Sequence, residues 1–339
     1  MRKIIVTAGI LLPSLAAVSV AQAEEGQISG FMDTVYMLSD GTNDPADSPL
    51  AQKWGVTSEF DYKLNLARDV KLRIDMDLSL ADNNGAGETD SAKMEQAFIS
   101  WQTSNALRVT GGVFNNPLGW EAEDAPDMFQ ISHGQIYNIF DGITIDDGIN
   151  PPQTYGTALW GNNVAGIAVS GVVGPVVITG GMLNDLGNAA EKTSFAVVVN
   201  GNIMKELEIE GGMLTEDGGY ERLIDVNATY KDALFTVGGE ILLASAIVDT
   251  AIGITGNYAI SDQLSATLRY DTVSYEGNGV DNTSTITMAV GYLLEKNLGV
   301  NFEIKLQNDP NDPDDAAQPN NRGIIGDGDM IALEFVASF

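Results

Sequence analysis

The tightest constraint on this chain is a period of two in its apolar residues, repeated from one end to the other. In Val70–Leu80, the residues Val70, Leu72, Ile74, Met76, Leu78 and Leu80 alternate with Lys71, Arg73, Asp75, Asp77 and Ser79. That spacing sends one row to each face of a β-strand. Val56–Asn65 repeats it, with Phe60, Tyr62 and Leu64 opposite Glu59, Asp61 and Lys63. So does the stretch from Leu298, where Val300, Phe302, Ile304 and Leu306 face away from Asn301, Glu303 and Lys305. The final residues, Asp329–Phe339, set Ile331, Leu333, Phe335, Ala337 and Phe339 against a face carrying Glu334. Almost none of the chain reads as helix.

The connections have a parity. Ala67-Arg68-Asp69, Lys231-Asp232-Ala233, Ser261-Asp262-Gln263 and Glu295-Lys296-Asn297 are tight turns, after which the apolar row resumes. Ser39–Lys53, Ala81–Ala92, Asn184–Lys192, Glu216–Tyr220, Glu276–Asn282 and Asn308–Gly328 are longer and more polar. A transmembrane β-barrel alternates in this way because one rim carries tight turns and the other carries long loops. A soluble sandwich has no reason to. Tyr62, Trp101, Tyr230, Tyr258 and Tyr292 stand shortly before short turns on the apolar faces of their strands, and Phe339 ends the last strand at the same rim. Shared height on the outer wall suits a ring with a polar tip at the headgroup boundary. The preference of Tyr for strands explains the residue type but not the level.

Composition agrees. Arg2 and Lys3, an apolar run from Ile4 to Val20 and then Ala21-Gln22-Ala23 have the layout of a signal peptide covering residues 1–23, leaving 24–339 as one transmembrane β-barrel. The other reading of that run is a membrane anchor, for which it is short. The chain has no cysteine, so disulfides and thiolate metal sites are excluded. Its 47 Asp and Glu against 17 Lys and Arg, a net charge of −30, argue against nucleic acid as a partner. The expected fold is therefore all-β: a closed antiparallel transmembrane barrel of about 16 strands, within a range of about 14–18. Sixteen follows if residues 115–161 form one loop, and eighteen if Gly142–Asp147 and Thr154–Gly161 join the wall.

That long segment, NNPLGWEAEDAPDMFQISHGQIYNIFDGITIDDG, follows a strand ending Gly-Gly-Val-Phe and contains Pro117-Leu118-Gly119, Ser132-His133-Gly134 and Phe140-Asp141-Gly142; a strand from Gly166 to Gly171 comes later. In this layout the chain resembles the β-barrel porins of the OmpL-like and phosphate-selective types. The resemblance implies an outer-membrane location, a third loop folded into the lumen as the constriction, and a terminal strand read by the barrel insertion machinery. It also implies the homo-trimer common among porins, although no interface is legible in the sequence. One departure concerns selectivity. Phosphate-selective porins line their passage with basic residues, whereas no Lys or Arg occurs between Val109 and Glu191. The loop instead carries Glu121, Glu123, Asp124, Asp127, Asp141, Asp146 and Asp147, and carboxylate rings favour cations. The inward wall positions Asp75, Asp77, Glu208, Glu210 and Glu240 add to that field, and Lys71, Arg73, Arg108 and Arg269 form a candidate opposing basic cluster. The competing reading is a solvated acidic outer surface.

Other chemistry has little support. His133 is the only histidine, beside Ser132, and adjacent residues cannot converge as a nucleophile and its base. No second His and no Cys accompany it as zinc ligands, and no enzyme activity is expected. No cofactor is expected either, apart from weakly bound Ca²⁺ as one reading of Asp309, Asp312, Asp314 and Asp315, the other being a hydrated loop. The expectation is a passive diffusion channel for small hydrophilic solutes or ions, cation-biased at an acidic constriction. The alternative is a surface scaffold or adhesive barrel with a plugged lumen.

Overall fold

The computed structural model describes residues 26–39, 51–80, 91–121, 124–141, 143–146, 153–155, 163–184, 193–215, 222–244, 248–275, 282–308, 323–324 and 328–339. The strands are β1 (Gln27–Ser39), β2 (Ala51–Ala67), β3 (Val70–Leu80), β4 (Ser91–Ser104), β5 (Leu107–Asn115), β6 (Ile143–Asp146), β7 (Gln153–Tyr155), β8 (Asn163–Val173), β9 (Val176–Asn184) and β10 (Thr193–Met204). There follow β11 (Leu207–Thr215), β12 (Arg222–Lys231), β13 (Phe235–Ala244), β14 (Val248–Ala259), β15 (Leu264–Tyr275), β16 (Thr283–Glu295), β17 (Leu298–Asn308), β18 (Gly323–Ile324) and β19 (Met330–Ser338). Sixteen of them close into one antiparallel barrel in which sequence neighbours pair, and β1 closes the wall against β19. Phe339 joins the seam: its N–H donates to Gly30 O (3.0 Å), and Gly30 N–H donates to Phe339 O (3.2 Å). Closure gives every wall strand a neighbour on both sides, which is what a sheet in hydrocarbon requires.

The strand-number alternative resolves at sixteen. β6 and β7 exist, but they pair with each other and with β18 in a separate small sheet outside the wall. Tight turns join β2 to β3, β4 to β5, β8 to β9, β10 to β11, β12 to β13, β14 to β15 and β16 to β17. Their chemistry is local. Asp232 accepts from the N–H groups of Leu234 and Phe235, both at 2.8 Å, and Gly174 supplies a φ of +62° before Pro175. The connection between β13 and β14 breaks the parity, being no longer than a tight turn.

Alternation separates two environments. Ile167, Phe195, Leu268, Tyr270 and Phe302 point outward and are 44–57% exposed. A continuous apolar wall of this kind is untenable in water and suits lipid. Tyr62, Trp101, Tyr230, Tyr258, Tyr292 and Phe339 are all on the outside. Register places each Tyr or Trp near a tight turn, as where Tyr258 pairs with Ala266 and stacks on Phe235 at 4.8 Å. The inner face is mostly polar, with Asp33, Glu59, Asp75, Thr285, Thr287 and Glu303 buried under lumenal chain.

The lumen is not polar all round. Val164, Leu183, Val198, Leu214, Leu223 and Leu242 are buried on inward positions of β8–β13 and form one apolar cluster with Phe140 and Ile139. The last two lie on a helix, α1 (Gln135–Asp141), that the sequence pattern does not suggest. Its Ile136, Ile139 and Phe140 follow the i, i+3, i+4 spacing of one helix face and pack toward β14 and β15. Burying that face gives a seven-residue helix its stability, since so short a helix is unstable alone.

Candidate pore constriction

The chain leaves β5 and turns into the barrel. Asn116 Oδ1 accepts from Leu118 N–H (3.1 Å), and Gly119 adopts a φ of +104° that reverses the path. Two wall glycines then receive loop side chains. A Cβ on Gly212 would overlap Leu118 Cδ2, and one on Gly238 would overlap the Trp120 ring. Trp120 is held at both ends, its backbone N–H donating to Glu240 (2.9 Å) and its indole N–H to Thr229 (2.5 Å). Gly238→Ala is expected to expel the indole, destabilising the docked loop by about 1–3 kcal/mol, the usual cost of overpacking. A lowered unfolding midpoint would report it, and an unchanged midpoint would contradict this packing.

Beyond Trp120 the loop is next tied to the adjoining arc of the wall, β15 and β17. Arg269 of β15, 2% exposed, is its main anchor. Its guanidinium donates to Ser132 O (2.6 Å), His133 O (2.9 Å), Ser132 Oγ (3.1 Å) and Thr287 Oγ1 (3.2 Å). It also pairs with Asp271 (2.8 Å) and with Glu121 (3.2 Å). Glu303 of β17 accepts from Ile131 N–H (2.6 Å) and from the Ser132 hydroxyl (2.5 Å). Burial pushes the Glu121 carboxyl up from the ordinary range while Arg269 pulls it back down. His133 stacks on Tyr137 with centroids 3.7 Å apart, and burial together with Arg269 pushes its imidazole down to about 3.

Carboxylates gather where the loop meets β2, β3 and β4. Oxygens of Glu59, Glu95 and Asp124 lie within 4.8 Å of one another, as do those of Glu59, Asp61 and Asp75, a spacing that a hard cation could bridge. Arg73 sits at the edge, paired with Asp75 (2.5 Å) and Asp61 (3.0 Å). Asp77 pairs in register with Lys93. Burial raises the Asp124 carboxyl above its usual range, with a hydrogen bond to Glu59 and the charge of Arg73 opposing.

The sequence-derived site residues fall into distinct places. Glu121 is a buried loop anchor, Asp124 joins the acidic group, Asp127 ends a 3₁₀ turn (Ala125–Asp127), and Asp141 is exposed at the end of α1. Asp146 lies in β6, which is not a wall strand. Glu123, Asp147, Asp309, Asp312, Asp314 and Asp315 lie outside the described residues. Lys71, Arg73, Asp75, Asp77, Arg108, Glu208, Glu210, Glu240 and Arg269 share the inward register. They do not form one array. Lys71, Arg73 and Arg108 stand close together on β3 and β5, whereas Arg269 is tied up beneath the loop. Glu208, Glu210 and Glu240 lie on β11 and β13, on the side of the barrel that receives Trp120. Sequence reasoning missed Glu59, Glu95 and Glu303 as site residues. Their polar-row positions were legible, but the loop that reaches them was not.

No family model and no curated protein matches the sequence. Solved structures do match in shape. OmpF of Salmonella typhi, in complex with daunomycin, aligns with a TM-score of 0.68 at 12% identity over 93% of this chain and 97% of that one. A triple mutant of the Rhodopseudomonas blastica porin gives 0.57 at 14%, covering 93% and 100%. The fold is a porin barrel. OmpT of Vibrio cholerae, an outer membrane protein in trimer form, gives 0.61 at 11%, covering 93% and 99%. At these identities the porin likeness is one of architecture: a closed transmembrane sheet. The side chains of the lumen are this chain's own.

Proposed function

We propose that this chain is an outer-membrane porin, a passive diffusion channel for small hydrophilic solutes and ions, with residues 24–339 as the barrel after loss of a signal peptide. The observation that carries the reading is lumenal chain after β5, residues 116–121 and 124–141, held inside a closed barrel to β12–β17 by Trp120, Arg269 and Glu303 and reaching the β2 and β4 carboxylates at Asp124. Chain at that position narrows the passage. It packs on the apolar half of the lumen and, through Asp124, meets the carboxylates of β2–β4. Partly exposed Asp77 and Asp124, beside the buried Glu59 and Glu95, then bias passage toward cations. Trimeric assembly, like the trimer form of OmpT, and recognition of β19 by insertion machinery belong to the same proposal.

Catalysis is not part of it. The Ser132 hydroxyl is bonded to Glu303 and Arg269, and the His133 ring lies against Tyr137, so neither faces the other as a nucleophile and its base. The apolar cluster around α1 favours a second reading, the plugged scaffold. Single-channel recording in planar bilayers separates the two. Discrete open steps support the channel; silence at high protein load supports the scaffold.

The bias should depend on pH. Asp124 binds its proton more tightly in the docked loop than an ordinary aspartate does, so the sign has two parts. Docking gains from a protonated Asp124 at low pH and loses that contribution as pH rises through the raised pKa. Cation bias runs the other way, present above the raised pKa and lost as pH falls through it. Reversal potentials measured from pH 7 downward should therefore decline before the normal aspartate range near 3.8 is reached. His133, held down near 3, adds no positive charge in that window. A bias constant to below the normal range would contradict the assignment to Asp124.

A further inference from the structure

At the tight-turn end of the barrel, β2–β5 enclose a cavity of about 660 Å³. Five cationic side chains line it, Lys63, Arg68, Lys71, Arg73 and Arg108, against the single carboxylate of Asp69. Arg73 is already matched by Asp61 and Asp75, and Lys63 has Asp61 at 3.6 Å. Among the described residues, Arg68, Lys71 and Arg108 have no carboxylate at ion-pair distance; Arg108 instead donates through Nε to Gln102 Oε1 (3.1 Å). In a chain of net charge −30, three unmatched cations around one hollow are not a solvated average of the composition.

The register sets their spacing. Lys71 pairs with Ser100, and Gln102 with Arg108, so one strand, β4, separates the two cations. At about 4.8 Å between neighbouring strands and about 3.4 Å per residue, an offset of two strands and two residues puts their backbones roughly 12 Å apart. Ser100 and Gln102, on the strand between them, line the hollow with hydroxyl and amide groups. Phe98 lies on the same inner face next to Arg73 and adds an apolar patch. A single small anion engages one end of this arrangement. Two carboxylates on a short carbon chain engage both, with the chain on Phe98 and Arg108 able to take its carboxylate side-on. We propose that this vestibule is a binding site for small dicarboxylate anions, in series with the acidic waist. The proposal rests on the channel reading and assigns a solute class to its tight-turn mouth.

The test is single-channel current in dilute KCl with succinate added to each chamber in turn. Succinate at millimolar levels should produce brief current interruptions, from the chamber on the tight-turn side at lower concentration than from the other. A Lys71→Gln, Arg108→Gln double variant should weaken the effect at least tenfold while leaving the open steps intact, and Lys71→Arg, Arg108→Lys should restore it. Molar salt should abolish it by screening. Open channels indifferent to succinate, or equal interruption in the glutamine variant, would overturn the site. Interruption by inorganic phosphate at the same concentration would overturn the dicarboxylate assignment. Channels that never open would fail the porin reading instead, which keeps the two failures apart.

Discussion

Replacing Arg269 with methionine should free the lumenal loop while leaving the barrel closed. The guanidinium is 2% exposed and ties Glu121, Asp271 and the backbone of Ser132 and His133 to β15. Removing one member of a buried pair strands the charges it matched, which typically costs about 3–5 kcal/mol. The wall itself does not depend on this residue, because β14, β15 and β16 stay joined through their backbones. The variant should therefore keep the gel mobility of a folded barrel, yet show larger and noisier conductance steps. Glu121→Gln should do less, since an amide oxygen can still accept from Gly134 N–H, which lies 2.6 Å from the native carboxylate. Wild-type conductance in the methionine variant would mean that the loop is held elsewhere.

The second large effect is expected at the waist. Neutralising Glu59, Asp77 and Asp124 together as Glu59→Gln, Asp77→Asn and Asp124→Asn removes three carboxylates from the group facing Arg73 and Lys93. With fixed charge setting the local ion concentration at a narrow, low-dielectric passage, selectivity should fall toward that of free KCl or reverse to anions. These are near-isosteric changes, so conductance should change less than selectivity. Unaltered cation preference would place the selective charges outside this cluster.

The wall was legible because its two periodicities are local. Alternation along Val70–Leu80 depends on nothing distant, and the tight turns mark strand ends whatever the fold, so faces and parity could be read directly. The same locality left sixteen and eighteen strands undecided. Ile143–Asp146 alternates like a wall strand, yet its partners are Gln153–Tyr155 and Gly323–Ile324, and partner choice is not written in the segment itself. The loop's interior failed for a related reason. Gly212 and Gly238 look like ordinary strand glycines until Leu118 and Trp120 are laid against them. Arg269 read as one lumenal cation among several, and only the loop crossing above it makes it an anchor. The apolar inner face of β8–β13 is visible as Val164, Leu183, Val198 and Leu214 at inward positions, a signal that a uniformly water-filled lumen would not produce. Helix α1, too, follows from that face, since Ile136, Ile139 and Phe140 are helical only where they have something apolar to cover.

The most direct test of the central claim, that ions pass this barrel beside a carboxylate-lined waist, is the zero-current potential of the native channel in a tenfold KCl gradient at neutral pH. A potential positive on the dilute side, from K⁺ crossing faster than Cl⁻, is the expected result. A potential of zero or of the opposite sign from well-resolved open channels would contradict it.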